Sequence, residues 1–509
     1  MVDAVAPANI KKSSVMNAHP KGDRIRVSCS SFATDWQSDD ACLKEMTMNP
    51  VLYWNAILLE CSRRDFTRGF NNAQQPGPIR TSRAMAIVHL AIHDAVAFAS
   101  GNPGAAWLSK KGIAHGVGPA PAGSVTDIIA GAAVVTLKAM YPRYGIYIDD
   151  STGAVNAGRF AYGQQVGQAI LDARAADGSN IDIATSQPAN PVYGQHRADP
   201  FQPGQNRLGP VWGNVTRFTG AANQPLAPFP GSGLADYLAN PDYRDDFDEV
   251  RDYGAKLRGE RSAEQERIGV YWGYDGAMNL GVPPRLYNQV ARRVIEPLAL
   301  NIPRAAELFA QLNVAMADSG IDAWHWKYFY DLWRPVVGLR EEDATRGGDP
   351  FWTPLGAPQT NTAGPMTRTP NFPAYPSGHA TFGAALFQTL RLALNTAPGP
   401  ITLKDVLDVE THDSAPIAKE SFSFVSDELD GIASDPDGST RTRVDKAFDN
   451  FAEAVWENSV SRIYLGVHWR FDGIPRRDGE NIGGVPLGLA IGSEAHDFFN
   501  TNPSLGGVV

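Results

Sequence analysis

Residues 372–382 read Phe-Pro-Ala-Tyr-Pro-Ser-Gly-His-Ala-Thr-Phe. Pro376 is barred from a helix interior and Ser377 is a good N-cap, so this stretch predicts a helix start. Such a start presents free backbone N–H groups and the positive end of the helix dipole, both of which favour an anion. His379 then lies in the first turn, placed to give or take a proton beside whatever anion is held there. Taken singly, the same run also describes a capped helix with a polar histidine.

Two further stretches add charge. Residues 324–335 read Trp-His-Trp-Lys-Tyr-Phe-Tyr-Asp-Leu-Trp-Arg-Pro. A helix through them would carry Lys327 and Arg334 on one face, roughly 10 Å apart along the axis. Two cations on an aromatic face are costly to bury, and a shared anion removes that cost. Residues 461–472 read Ser-Arg-Ile-Tyr-Leu-Gly-Val-His-Trp-Arg-Phe-Asp. Gly466 is a helix terminator, which leaves Arg462 in a last turn and His468 just beyond it. A continuous helix would turn those two apart, and the glycine break lets them converge. Lys327, Arg334, Ser377, Gly378, His379, Arg462 and His468 together describe a pocket for a multiply charged tetrahedral oxyanion, phosphate or something of its shape.

In that order, Lys-x6-Arg-Pro, Pro-Ser-Gly-His and Ser-Arg-x3-Gly-x-His resemble the three signature blocks of the vanadium-dependent haloperoxidases. The acid and lipid phosphatases of the same superfamily share these blocks. They are generally shorter or carry several membrane spans, whereas this chain has 509 residues and no apolar stretch near the length of a span. Residues 52–66, 88–95, 271–294, 352–357 and 482–489 also look like the fungal-type vanadium chloroperoxidases, so the likeness runs from about residue 49 to the C-terminus.

That resemblance implies an all-α fold of two four-helix bundles with long connecting loops. An N-terminal arm (1–48) would precede a first bundle and long loop (49–233), and the second bundle (234–509) would carry the site. It implies vanadate as cofactor, with hydrogen peroxide, halide ion and small organic acceptors as reaction partners. Lys327, Arg334, Ser377, Gly378 and Arg462 would hold the vanadate oxygens, His468 would bond the vanadium, and Asp275 would hold Arg462. The bound V(V) would act as a Lewis acid on peroxide, with His379 moving protons and Lys327 adding positive charge. Phe372 stands where the fungal chloroperoxidases have Phe and the algal bromoperoxidases have His. With Trp324 it predicts an apolar halide pocket suited to chloride, bromide also being accepted. His325 and Trp326 depart from the charged residues of the fungal enzymes, which puts cofactor affinity and pH optimum in question. The alternative is an acid phosphatase in which His468 attacks phosphate as nucleophile and His379 protonates the leaving group.

Composition agrees with a soluble globular protein. A net charge of −10 argues against nucleic acid and anionic membrane surfaces. The segment 1–48 lacks the pattern of a secretory leader, so cytoplasmic residence or export by another route is expected. Cys29, Cys42 and Cys61 are too few for a disulfide scaffold, and a Cys29–Cys42 bridge and free thiols both stay open. Apolar periodicity predicts helices over 50–63, 80–99, 125–141, 154–176, 237–257, 262–275, 284–298, 303–319, 321–333, 381–394 and 443–465. His89 and His93 sit one helical turn apart, a zinc-compatible spacing, but the metalloprotease glutamate is absent and a satisfied buried pair is favoured. Residues 178–233 are rich in Pro, Gly, Asn and Gln and read as a long functional or surface-wrapping loop. The acidic segment 426–441 reads as a solvated loop.

Overall fold

The computed structural model describes residues 48–69, 72–181, 184–220, 222–226, 237–257, 259–342, 347–363 and 368–505. Apart from Met48, the expected arm lies outside the described residues, as do Cys29 and Cys42. The principal helices are α1 (Pro50–Asp65), α2 (Gly77–Ala99), α3 (Val125–Met140) and α4 (Ala157–Arg174), then α5 (Pro241–Tyr253), α6 (Ala263–Tyr271) and α7 (Pro283–Ile295). They continue with α8 (Ile302–Tyr330), α9 (Pro335–Glu341), α10 (Gly378–Leu394), α11 (Leu403–Glu410), α12 (Phe451–Tyr464) and α13 (Gly484–Asn500). Strand content is small: β1 (Ala184–Thr185) pairs antiparallel with β2 (Arg207–Leu208), and β3 (Phe422–Phe424) with β4 (Lys446–Phe448). The architecture is mainly helical, as expected.

Helix α8 is the axis of the packing. It packs against α2, α10 and α13, while α3 packs on α4 and α12 on α10. Nearly every residue from Ala305 to Trp324 is buried, including Glu307, Gln311, Asn313, Asp318 and Asp322. The periodicity predicted two helices meeting at Gly320, but the structure has one. Gly320 stays inside it because a Cβ there would come within 3.3 Å of Phe382 Cζ and Ser82 Oγ, so its bareness admits neighbours from α10 and α2.

Two other expectations are corrected. Lys327 and Arg334 do not share a helix, because α8 ends at Tyr330 and Asp331 turns left-handed at φ 51°. Arg334 is extended (φ −81°, ψ 156°) ahead of Pro335, where a proline ring disfavours helical geometry in its predecessor. The helix expected over 443–465 begins only at Phe451, capped by Asn450, whose side chain accepts from Glu453 N. Residues 446–448 are drawn instead into the β3–β4 ladder.

The described parts of the long polar stretches are tied down. In the segment 178–233, Asp318 accepts hydrogen bonds from the Phe218 and Thr219 N–H groups, and Arg217 pairs with Asp322 and Glu494. The acidic segment is not simply solvated, since Ser426, Glu428 and Leu429 are buried. His89 and His93 are buried in α2 with separate partners, Asn55 for one and Asp94 for the other. Among the described residues, no group of three or more His, Cys, Asp or Glu side chains is arranged to hold a metal ion. No helix among them is long and apolar enough to cross a membrane.

The position of α10 depends on bare backbone in α13. A Cβ at Gly484 would meet Ser377 O at 2.5 Å, one at Gly488 Thr381 O at 2.3 Å, and one at Gly492 Ala385 O at 2.6 Å. Glycine every fourth residue therefore lets the two helices touch backbone to backbone. Gly488→Ala must push them apart, and chemical denaturation should read a loss of about 1–3 kcal/mol.

Candidate functional site

Three helix ends converge. At the first, Ser377 caps α10 and its Oγ accepts from Ala380 N at 3.5 Å, so Gly378 and His379 open the first turn. Their backbone N–H groups have no intrahelical acceptor, which makes this end electropositive. At the second, α12 ends at Tyr464 and Gly466 takes φ 69°, its N–H returning to Ile463 O at 2.8 Å. That reversal brings His468 back beside Arg462. At the third, the last turn of α8 supplies Lys327, and Arg334 follows across the break at Asp331.

Each cation is held differently. Lys327 Nζ donates to Pro373 O (2.9 Å), Ala374 O (3.0 Å) and Pro376 O (2.5 Å), which ties α8 to the approach of α10. With its donors on these carbonyls, Lys327 acts on the site through its charge. Arg334 donates from Nε to Phe372 O at 2.8 Å and from Nη1 to Val467 O at 2.7 Å. Arg462 Nη2 donates to both Asp275 oxygens, at 2.8 and 3.0 Å. Arg334 Nη2, Arg462 Nε and Arg462 Nη1 are buried without a hydrogen-bond partner among the described residues. Stranded guanidinium donors are expensive in a protein interior, and a polyanion is the group that satisfies them.

The histidines have defined tautomers. His468 Nε2 lies 2.9 Å from Arg334 Nη1, which can only donate, so Nε2 carries the lone pair and Nδ1 the proton. Nδ1–H donates to Asp472 Oδ2 at 2.8 Å, and that oxygen also accepts from Trp469 N at 3.0 Å. His379 Nε2 donates to Gly273 O at 2.8 Å, leaving Nδ1 to exchange protons. Burial, reinforced by Arg462, lowers His379 to about 3, so the ring is neutral near pH 7. Burial and Arg334 push the Lys327 ammonium well below its usual range, and burial lowers Arg334 to about 9. A bound anion opposes both shifts. Burial raises Asp472 to about 8, against the pull of Lys327 and Arg334, and the two N–H donors on Oδ2 favour its charged form.

A cavity opens onto Gly378, His379, Arg462, His468 and Asp275, with Trp324 and Phe372 in its wall. Lys327, Arg334 and Ser377 are buried beside it without lining it. The Trp324 and Phe372 rings lie 4.7 Å apart, and Lys327 Nζ and Arg334 Cζ sit 5.0 and 4.9 Å from the Phe372 ring. His325 and Trp326 turn away from the cavity, Trp326 donating to Gln224 O at 3.1 Å.

Sequence reasoning gave no role to Asp472 or to Arg368, which also lines the cavity. The His-x3-Asp spacing was a usable signal for Asp472, since on a helical turn it puts carboxylate against imidazole. Nothing local marks Arg368.

Comparison with known proteins gives a consistent result. Residues 307–502 match the VCPO second helical-bundle domain, and residues 43–187 match the vanadium chloroperoxidase N-terminal domain. The chain is 32% identical over 512 residues to the vanadium chloroperoxidase of Curvularia inaequalis, covering 86% of this chain and 81% of that one. Its fold is similar to a bacterial vanadium-dependent iodoperoxidase (TM-score 0.57, 19% identity, 88% of this chain and 95% of the other). It is also similar to a holo-type bacterial vanadium-dependent chloroperoxidase (TM-score 0.55, 15% identity, 84% and 95%).

Asp472→Ala frees His468 to choose its tautomer and rotate. Vanadate affinity should fall about 10–100-fold, as read by isothermal titration with orthovanadate.

Proposed function

Since the chain belongs to the vanadium chloroperoxidase family, and is thus a vanadate-dependent haloperoxidase, we propose that it oxidises chloride and bromide with hydrogen peroxide to hypohalous acid. One observation carries the assignment of residues: unpaired guanidinium N–H groups of Arg334 and Arg462 beside an imidazole nitrogen whose lone pair is fixed by Asp472. That donor set fits a tetrahedral oxyanion with one coordinating nitrogen, which is the chemistry of vanadate.

In this reading Arg334, Arg462 and the first N–H groups of α10 would hold the vanadate oxygens, and His468 Nε2 would bond the vanadium once Arg334 Nη1 turns its N–H from that nitrogen to an oxygen. Ser377 fixes the helix start. When bound, vanadate would supply a Lewis acid towards peroxide that keeps its V(V) oxidation state. His379 Nδ1 receives a proton as peroxide enters and returns it as product leaves, its Nε2–H anchored on Gly273 O. Asp275 holds Arg462 in register. Lys327 contributes positive charge without a proton transfer of its own, which strengthens the pull on developing negative charge.

Halide choice rests on the wall. Phe372 and Trp324 keep water from the charged groups, and a low local dielectric strengthens the field that a poorly oxidised halide such as chloride requires. A lone-pair nitrogen among cations is also what attack on phosphate needs, so vanadate-free protein is expected to hydrolyse phosphate esters weakly.

Adding orthovanadate to metal-free protein should restore halide oxidation at one vanadium per chain. Vanadate that only inhibits phosphate-ester hydrolysis, with no halide oxidised, would sink this reading in favour of a phosphatase. His379→Ala should cut kcat about a hundredfold or more while vanadium stays bound, by metal analysis. Phe372→His should lower kcat/KM for chloride about tenfold relative to bromide, by competition assay.

A further inference from the structure

The backbone that orients His379 and Arg462 is itself held by one buried acid. Gly273 O is the acceptor that fixes the His379 ring, and Asp275, two residues on, is the carboxylate that holds Arg462. Between them Tyr274 is left-handed at φ 48°, a conformation that non-glycine residues seldom take without support. Its N–H donates to Glu428 Oε1 at 2.8 Å. Its phenol accepts from Asp427 N at 2.8 Å and donates to Gln289 Oε1 at 3.0 Å, so both ends of the residue are clamped by the same segment. The other Glu428 oxygen accepts from Arg441 Nη1 at 2.6 Å and from Thr360 Oγ1. Arg441 reaches on to Asp435 at 2.8 Å. The contact has no slack, because a Cβ at Gly273 would come within 2.8 Å of both Glu428 Oε1 and Pro358 Cγ.

We propose that Glu428 is a positioning residue for turnover, setting the His379 ring and the Arg462 guanidinium through the backbone of residues 273–275. It touches neither group. Its carboxylate spans Tyr274 on one side and the Arg441–Thr360 pair on the other, so the reach of one buried side chain couples the acidic segment to a proton carrier and an anion-holding cation. A carboxylate kept wholly inside the protein needs such partners, and here they leave it one geometry.

The kinetic half of the test rests on the haloperoxidase reading, and the spectroscopic half does not. Glu428→Asp is one methylene short of bridging both sides, whereas Glu428→Gln keeps the reach to Tyr274 N–H but loses the charge that pairs with Arg441. At saturating vanadate, Glu428→Asp should lose about tenfold or more in kcat with halide and peroxide KM held within about twofold, while Glu428→Gln stays within about threefold of the parent. In vanadate-free protein, the downfield imidazole N–H resonance identified by its disappearance in His379→Ala should shift or broaden in Glu428→Asp and persist in Glu428→Gln. Asp437→Asn, exposed in the same segment, should change neither readout. The inference is overturned if Glu428→Asp keeps the parental kcat and resonance, or if both variants merely lower thermal stability with Gln the worse of the two. If the parent oxidises no halide, the functional reading fails, and the resonance alone still decides the role of Glu428.

Discussion

Burying several cations side by side is the constraint on which this structure turns. Lys327, Arg334 and Arg462 are all removed from water, and Asp275 and Asp472 answer only part of their charge. Guanidinium donors left without acceptors lower the stability of the folded chain unless an anion meets them. The site is therefore a place where the protein gives up stability to preorganise a field. That field is what lets a bound oxyanion act as an electrophile without rearrangement of its surroundings.

Such a field needs a rigid frame, and the frame is made at helix ends. Lys327 clasps three carbonyls of the 373–376 stretch, the Ser377 N–H donates to Asp472 O at 2.6 Å, and Asp472 in turn holds His468. Each link ties one helix terminus to another, so none can move alone. Backbone contact between α10 and α13 fixes the axis on which the first link depends. The groups that touch the cavity are thus oriented by neighbours that do not, and this arrangement suits a cofactor whose geometry must be met within fractions of an ångström.

Much of this was legible because the informative residues are of kinds that punctuate chains. Pro376 and Ser377 mark the start of α10, and Gly466 marks the end of α12. Spacing failed where a break lacks a strong local signal. The turn at Asp331 lies inside an aromatic run that reads as helix, so Lys327 and Arg334 were placed on one face when they approach from two elements. The acidic segment failed for a related reason. Composition called it solvated, yet Glu428 is buried because Arg441, Thr360 and the Tyr274 N–H surround it, and none of those partners is near it in the rule by which charge is read along a chain.

By itself the sequence determined the helical class, the helix-end motifs and the family, since caps, breakers and motif spacing are local properties written in consecutive residues. Tertiary structure alone decided which backbone carbonyls engage Lys327, which imidazole nitrogen of His468 keeps its lone pair, and which buried acid braces the turn at Tyr274. Those outcomes depend on atoms brought together from 46 to 154 residues apart, and a hydrogen bond is set by distance and angle in space rather than by separation along the chain.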